Sequence, residues 1–64
     1  MLIQIETEND TKITLNVNHI VQLEPRPNGG TRVMLTSSNI VLAKEDQDAL
    51  FKKIRSTYAY FNKL

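Results

Sequence analysis

Residues 12–42 read KITLNVNHIVQLEPRPNGGTRVMLTSSNIVL, and apolar side chains alternate with polar ones through most of that run. A period of two is the pattern of a strand with one face buried and one in water. Ile13, Leu15 and Val17 fall on one side, with Lys12, Thr14 and Asn16 on the other. Asn18-His19 breaks the pattern as a bend or bulge that resets the face, after which Val21 and Leu23 are expected inward and Gln22 and Glu24 outward. Pro25-Arg26-Pro27-Asn28-Gly29-Gly30 is the strongest punctuation in the chain. Proline cannot donate to a ladder and Asn-Gly-Gly accepts positive φ, so an exposed hairpin loop is expected there. Residues 31–36 set Val33 and Leu35 against Arg32 and Met34, and Ser37-Ser38-Asn39 leads into Ile40-Val41-Leu42-Ala43. That last run is apolar on both faces, which predicts a strand that is central or covered on both sides.

Working outward, residues 2–7 alternate Ile3 and Ile5 with Gln4 and Glu6, one more strand, joined to the next by the turn-forming Glu8-Asn9-Asp10-Thr11. Beyond residue 43 the period changes. Asp46 is the expected helix N-cap, with Asp48 in the first turn complementing the helix dipole. Leu50, Ile54, Tyr58 and Phe61 then recur at helical spacing, with Phe51 widening the stripe that should meet the sheet. Asp48, Lys52, Arg55, Ala59 and Lys63 lie opposite, and Ala49, Lys53, Ser56 and Tyr60 form a flank. That flank reads either as a seat for a second chain or, in the plainer view, as surface with a snorkelling Lys53. The fold expected over residues 1–64 is one α+β domain. It comprises a curved antiparallel β-meander of about five strands, rolled toward a small and partly open barrel, with one C-terminal amphipathic helix packed on it.

Sixty-four residues bury a smaller share of their surface than a larger domain does, while ordering costs about 1.5 kcal/mol per residue. The chain has no cysteine to crosslink and one histidine, His19, so neither a disulfide nor a Cys/His metal cluster supplies the margin. Association with another chain, as a homo-oligomer or with a partner protein, is the expectation. No apolar run approaches bilayer length, the N-terminus lacks the features of a signal peptide, and a cytoplasmic protein is expected. No cofactor and no small-molecule substrate are called for.

Chemistry-bearing patterns are sparse. His19 has no cysteine near it and sits in a bend, so it reads as a turn residue, and no catalytic residue and no enzymatic activity are expected. Glu6, Glu8 and Asp10 share one side of an extended segment but lack the ligand spacing of a calcium loop, and read as solvated edge charges. Asn28-Gly29-Gly30 has no helix behind it and is not a phosphate cradle. The residues expected to touch a partner are Tyr58, Tyr60, Arg26 and Arg32. The chain then reads as a small protein-interaction module acting through an exposed sheet edge or the Tyr60 flank. The competing reading is a nucleic-acid-binding regulator using the mildly basic set Lys44, Lys52, Lys53, Arg55 and Lys63, although a net charge of +1 gives it little support. A phage or mobile-element protein that binds a host factor is a further alternative.

The order of these features carries a resemblance. Ile13-Thr14-Leu15-Asn16, the strand at 20–24, the strand at 31–36 and Lys44-Glu45-Asp46 leading into a helix resemble the small bacterial flagellar and swarming-motility proteins of the FlbD/SwrD type, over nearly the whole chain with one insertion in the long loop. That family tends to carry Asn-Gly at the first hairpin and again before the last strand, where this chain has Asn9-Asp10 and Ser37-Ser38. It tends to have Glu-Ser ahead of the helix, where Glu45-Asp46 stands here. The resemblance implies a cytoplasmic accessory factor linked to flagellar motility, without enzymatic activity and without a chemically defined site to transfer.

Overall fold

The order along the chain is β1 (Leu2–Glu6), β2 (Lys12–Asn16), a 3-10 turn (Val17–His19), β3 (Ile20–Pro25), β4 (Thr31–Leu35), β5 (Ile40–Ala43) and α1 (Gln47–Asn62). A computed structural model describes the backbone of residues 1–62 and the side chains of residues 1–57. The α+β architecture and the five strands are those read from the alternation. The strands divide, however, into an antiparallel pair β1-β2 and an antiparallel trio in the order β3-β4-β5, and no closed barrel forms.

The two sheets meet at one corner. Thr7 bridges Ala43, the Glu8 N–H donates to the Leu42 carbonyl at 3.0 Å and the Lys44 N–H to the Glu6 carbonyl at 2.8 Å. β5 is therefore an edge strand tacked to the end of β1, not the central strand its composition suggests. Its inward residues Val41 and Ala43 reach the core while Ile40 and Leu42 face solvent. Hydrophobicity on both faces signals burial on both faces only when a second layer exists, and here nothing among the described residues covers the outer one.

The core is built from Ile3 and Ile5 of β1, Val17, Val33, Ala43 and Leu50, flanked by half-buried Ile13, Leu15, Ile20, Leu23, Leu35, Val41 and Ile54. The break at Asn18-His19 is a 3-10 turn. The Asn16 side chain caps it by accepting from the Asn18 N–H at 3.0 Å, and Val17 stays buried inside the turn. A second irregularity follows at once. Ile20 pairs with Leu35 and Gln22 with Met34, so one extra residue bulges out of β3 between them. The bulge shifts the face: Ile20 and Leu23, not Val21 and Leu23, share the inner side, and Val21 is 64% exposed. Simple alternation cannot register an extra residue.

The long hairpin is only partly the exposed loop its composition predicts. Gly30 and Thr31 are buried, and the Thr31 hydroxyl donates to the Glu45 carbonyl at 2.7 Å, pinning the approach to the helix. Asp46 caps α1 as expected, its carboxylate accepting from the Ala49 N–H at 2.7 Å. Leu50 and Ile54 enter the core from the helix, whereas Phe51 is 56% exposed. Lys53 accounts for the difference: its ammonium donates to the Gln4 carbonyl of β1 at 2.9 Å and to Glu45 at 2.7 Å. That turns the 53 side of the helix toward β1, and Phe51, about 200° further round at 100° per residue, toward water. The flank expected either to accept a chain or to carry a snorkelling lysine is thus partly used inside the molecule. Tyr58 and Phe61, the remainder of the predicted stripe, lie outside the described side chains.

Asp10 and Ser38 take left-handed backbone, at φ 62° and 70°. These are the second residues of Asn9-Asp10 and Ser37-Ser38, which stand where the resembling family tends to carry Asn-Gly. Left-handed backbone costs a residue with a Cβ roughly 1–2 kcal/mol, offset in part by the greater chain entropy glycine loses on folding. Ser38→Gly is therefore expected to raise stability by about 0.5–1 kcal/mol, seen as a higher urea midpoint with an unchanged slope. An unchanged or lower midpoint would show that the turn carries no strain. Asp10→Gly is the less clean change, because the Asp10 carboxylate pairs with Lys44.

Candidate functional site

The ionisable residues of the β1–β2 turn are neutralised from within the chain. Glu8 accepts from the Arg26 guanidinium and, at 3.0 Å, from the Asn28 amide, whose oxygen in turn accepts from the Gly30 N–H at 2.9 Å. Lys44 pairs with Asp10 and lies 3.8 Å from Glu6. The hydrogen bond to Asp10, then its charge, raise the Lys44 ammonium above its ordinary value, with Glu6 adding to the rise. The three carboxylates read as solvated edge charges are thus each met by a cation, and no cluster of metal-ligating side chains occurs among the described residues. These are partly exposed pairs, so they orient the turn more than they stabilise it.

His19 is exposed. Its Nδ1 lies 3.2 Å from the Thr36 hydroxyl and its carbonyl accepts from the Thr36 N–H at 2.9 Å, which ties the 3-10 turn to the end of β4. That is the turn role expected of it.

The outer face of β3-β4-β5 is not covered by any other element among the described residues. Register places Gln22, Met34 and Ile40 in one row and Glu24, Arg32 and Leu42 in the next. Ile40 and Leu42 are exposed beside half-buried Met34. Arg32 stands exposed on the middle strand, between Glu24 and Leu42, without an ion-pair partner among the described residues. Of the residues expected to touch a partner, Arg32 lies on this face, Arg26 is turned to Glu8, and the side chains of Tyr58 and Tyr60 lie outside the described residues. The sequence reading missed Ile40 and Leu42 as surface. The signal is present in the doubly apolar run at 40–43, but such a run by itself reads as burial on both faces.

No helix of the described residues is long and apolar enough to cross a membrane. No curated protein and no solved structure matches the chain. A family model described as flagellar and swarming motility proteins matches residues 2–61, which takes in every strand, the corner between the sheets and nearly all of α1. With the strand spacing and the helix entry at Lys44-Glu45-Asp46 that carry the resemblance, this match places the chain in the FlbD family of flagellar and swarming motility proteins.

Proposed function

We propose that this chain serves flagellar or swarming motility as a non-catalytic accessory protein in the cytoplasm, acting by binding protein through the outer face of β3-β4-β5 and by associating with itself. The observation that carries the reading is the grouping of exposed Ile40 and Leu42 with exposed Arg32, whose guanidinium has no ion-pair partner among the described residues. An apolar patch with one well-placed charge suits a protein partner that brings apolar side chains and a carboxylate for Arg32. Arg26, Lys44 and Lys53 each already face a carboxylate, which leaves less of the basic charge for phosphates and favours protein over nucleic acid.

Complementation of a strain lacking this chain tests the reading. Reversing a charge within an interface costs several kcal/mol, so Arg32→Glu should weaken partner binding on the order of 100-fold. It is expected to abolish swarming at unchanged protein level, with the melting temperature lowered only by the few degrees that a carboxylate opposite Glu24 costs. Lys52→Glu, on the exposed side of α1, should leave motility intact. Full motility from Arg32→Glu would remove this face from the function. Retained nucleic acid that dissociates steeply with rising salt would instead support the phosphate-binding alternative.

A further inference from the structure

The four free strand edges are not equivalent. Backbone groups along an antiparallel strand point alternately toward the partner strand and away from it. In the β1-β2 pair the Thr7 N–H donates to the Thr11 carbonyl and the Val17 N–H to the Met1 carbonyl. Residues 3, 5, 13 and 15 therefore bond across the pair, and residues 2, 4, 6, 12, 14 and 16 direct their N–H and C=O outward. On β1 two of the three outward carbonyls are taken, Gln4 by the Lys53 ammonium and Glu6 by the Lys44 N–H. The edge of β5 is tacked to residues 6–8, and that of β3 is interrupted by its bulge and ends in Pro25, which has no N–H. Only β2, among the described strands, presents a straight five-residue edge without bulge, proline or covering group. A bare edge of that kind is a template for another strand.

We infer that the occupant is β2 of a second copy of this chain, paired antiparallel across a two-fold axis through Thr14. This proposal deepens the self-association half of the functional reading and is independent of the Arg32 face. The sequence of β2 is self-complementary in that register. Thr14 faces Thr14 and the two exchange both backbone bonds, while the Asn16 N–H of each copy reaches the Lys12 carbonyl of the other. On the outer side Lys12 lies opposite Asn16, so no like charges face each other, whereas a register centred on Lys12 would set two lysines side by side. On the inner side Ile13 lies opposite Leu15, and both are only half buried in the single chain. A groove of about 350 Å³ runs along this flank, lined by Leu15, His19, Leu35 and Thr36 among others. Ile13 of the second copy falls opposite Leu15, at the mouth of that groove. The pairing joins two β1-β2 pairs into one four-stranded sheet, which answers the shortage of buried surface in a chain with no cysteine.

The test is sedimentation equilibrium over a concentration series, with two variants. Wild-type protein should pass reversibly from the 7.3 kDa chain mass to twice that mass. Thr14→Pro removes an outward N–H that β1 does not use, and should stay monomeric with an unchanged far-ultraviolet spectrum. Thr14→Cys introduces the sole thiol of the chain at a site where facing Cα atoms would lie about 5.5 Å apart, within disulfide reach. Mild oxidation should crosslink it rapidly, and Gln22→Cys, on the other sheet, should not crosslink. Should Thr14→Pro fail to fold, the contrast between the two cysteine variants still decides. A wild type that remains monomeric at the highest concentration reached, or a dimer in which Thr14→Cys crosslinks no faster than Gln22→Cys, overturns the proposal. A monomeric wild type whose motility still depends on Arg32 would refute this interface and leave the partner-binding reading standing.

Discussion

Leu50→Ala is expected to lower stability by about 3 kcal/mol, in the middle of the range for truncating a fully buried leucine. Leu50 is 1% exposed and is the one helical residue in the fully buried core among the described residues. It shares the core with Ile3, Ile5 and Val33, which belong to both sheets, so the cavity opens in the core common to the helix and the two sheets. A domain of this length holds only about 3–10 kcal/mol in total, and each kcal/mol moves the melting temperature by about 4–8 °C. Thermal unfolding followed by circular dichroism should therefore shift down by more than about 12 °C. A loss under about 1 kcal/mol would mean that the Asp46 cap and the Lys53 contacts, not Leu50, seat the helix.

Gly30→Ala should cost a similar amount by a different route. A Cβ built at Gly30 lies 2.5 Å from the Ala43 carbonyl oxygen, a main-chain atom that cannot swing aside. Ala43 pairs with Thr31 and bridges Thr7, so moving it strains the corner that joins the two sheets. Overpacking of this kind costs about 1–3 kcal/mol, and the involvement of backbone puts it near the top of that range, at about 3 kcal/mol. Gly29→Ala separates sterics from conformation. Gly29 has φ 91° with nothing within 4 Å of a Cβ, so its replacement should cost only about 1–2 kcal/mol of left-handed strain. Equal melting temperatures for the two variants would rule out the steric account of Gly30.

Gly29 and Gly30 show how far the sequence can be read. Asn28-Gly29-Gly30 announces a turn to any reader, but nothing local says that the first glycine is needed for its φ and the second for the carbonyl of a strand thirteen residues later. The pairs Glu8 with Arg26 and Lys44 with Asp10 are equally opaque. Each joins residues distant in the chain, and charge pattern alone left Glu6, Glu8 and Asp10 as solvated edges. The candidate surface was half legible: Arg32 was marked, while Ile40 and Leu42 were placed under cover because their strand is apolar on both sides. Val21 was misplaced by one bulged residue and Phe51 by the rotation Lys53 imposes on α1. Both errors come from contacts between elements.

Local backbone preference and hydrophobic period, which act over a few residues, determined by themselves the five strands, the turns between them, the Asp46 cap, the α+β class and the pattern that resembles the motility family. The tertiary structure alone decided the division into two sheets, the edge position of β5, the exposure of Ile40 and Leu42 beside Arg32, and the bare edge of β2. Those outcomes depend on which strand ends meet and which faces a neighbour covers, and such long-range pairing is encoded in no single stretch of the chain.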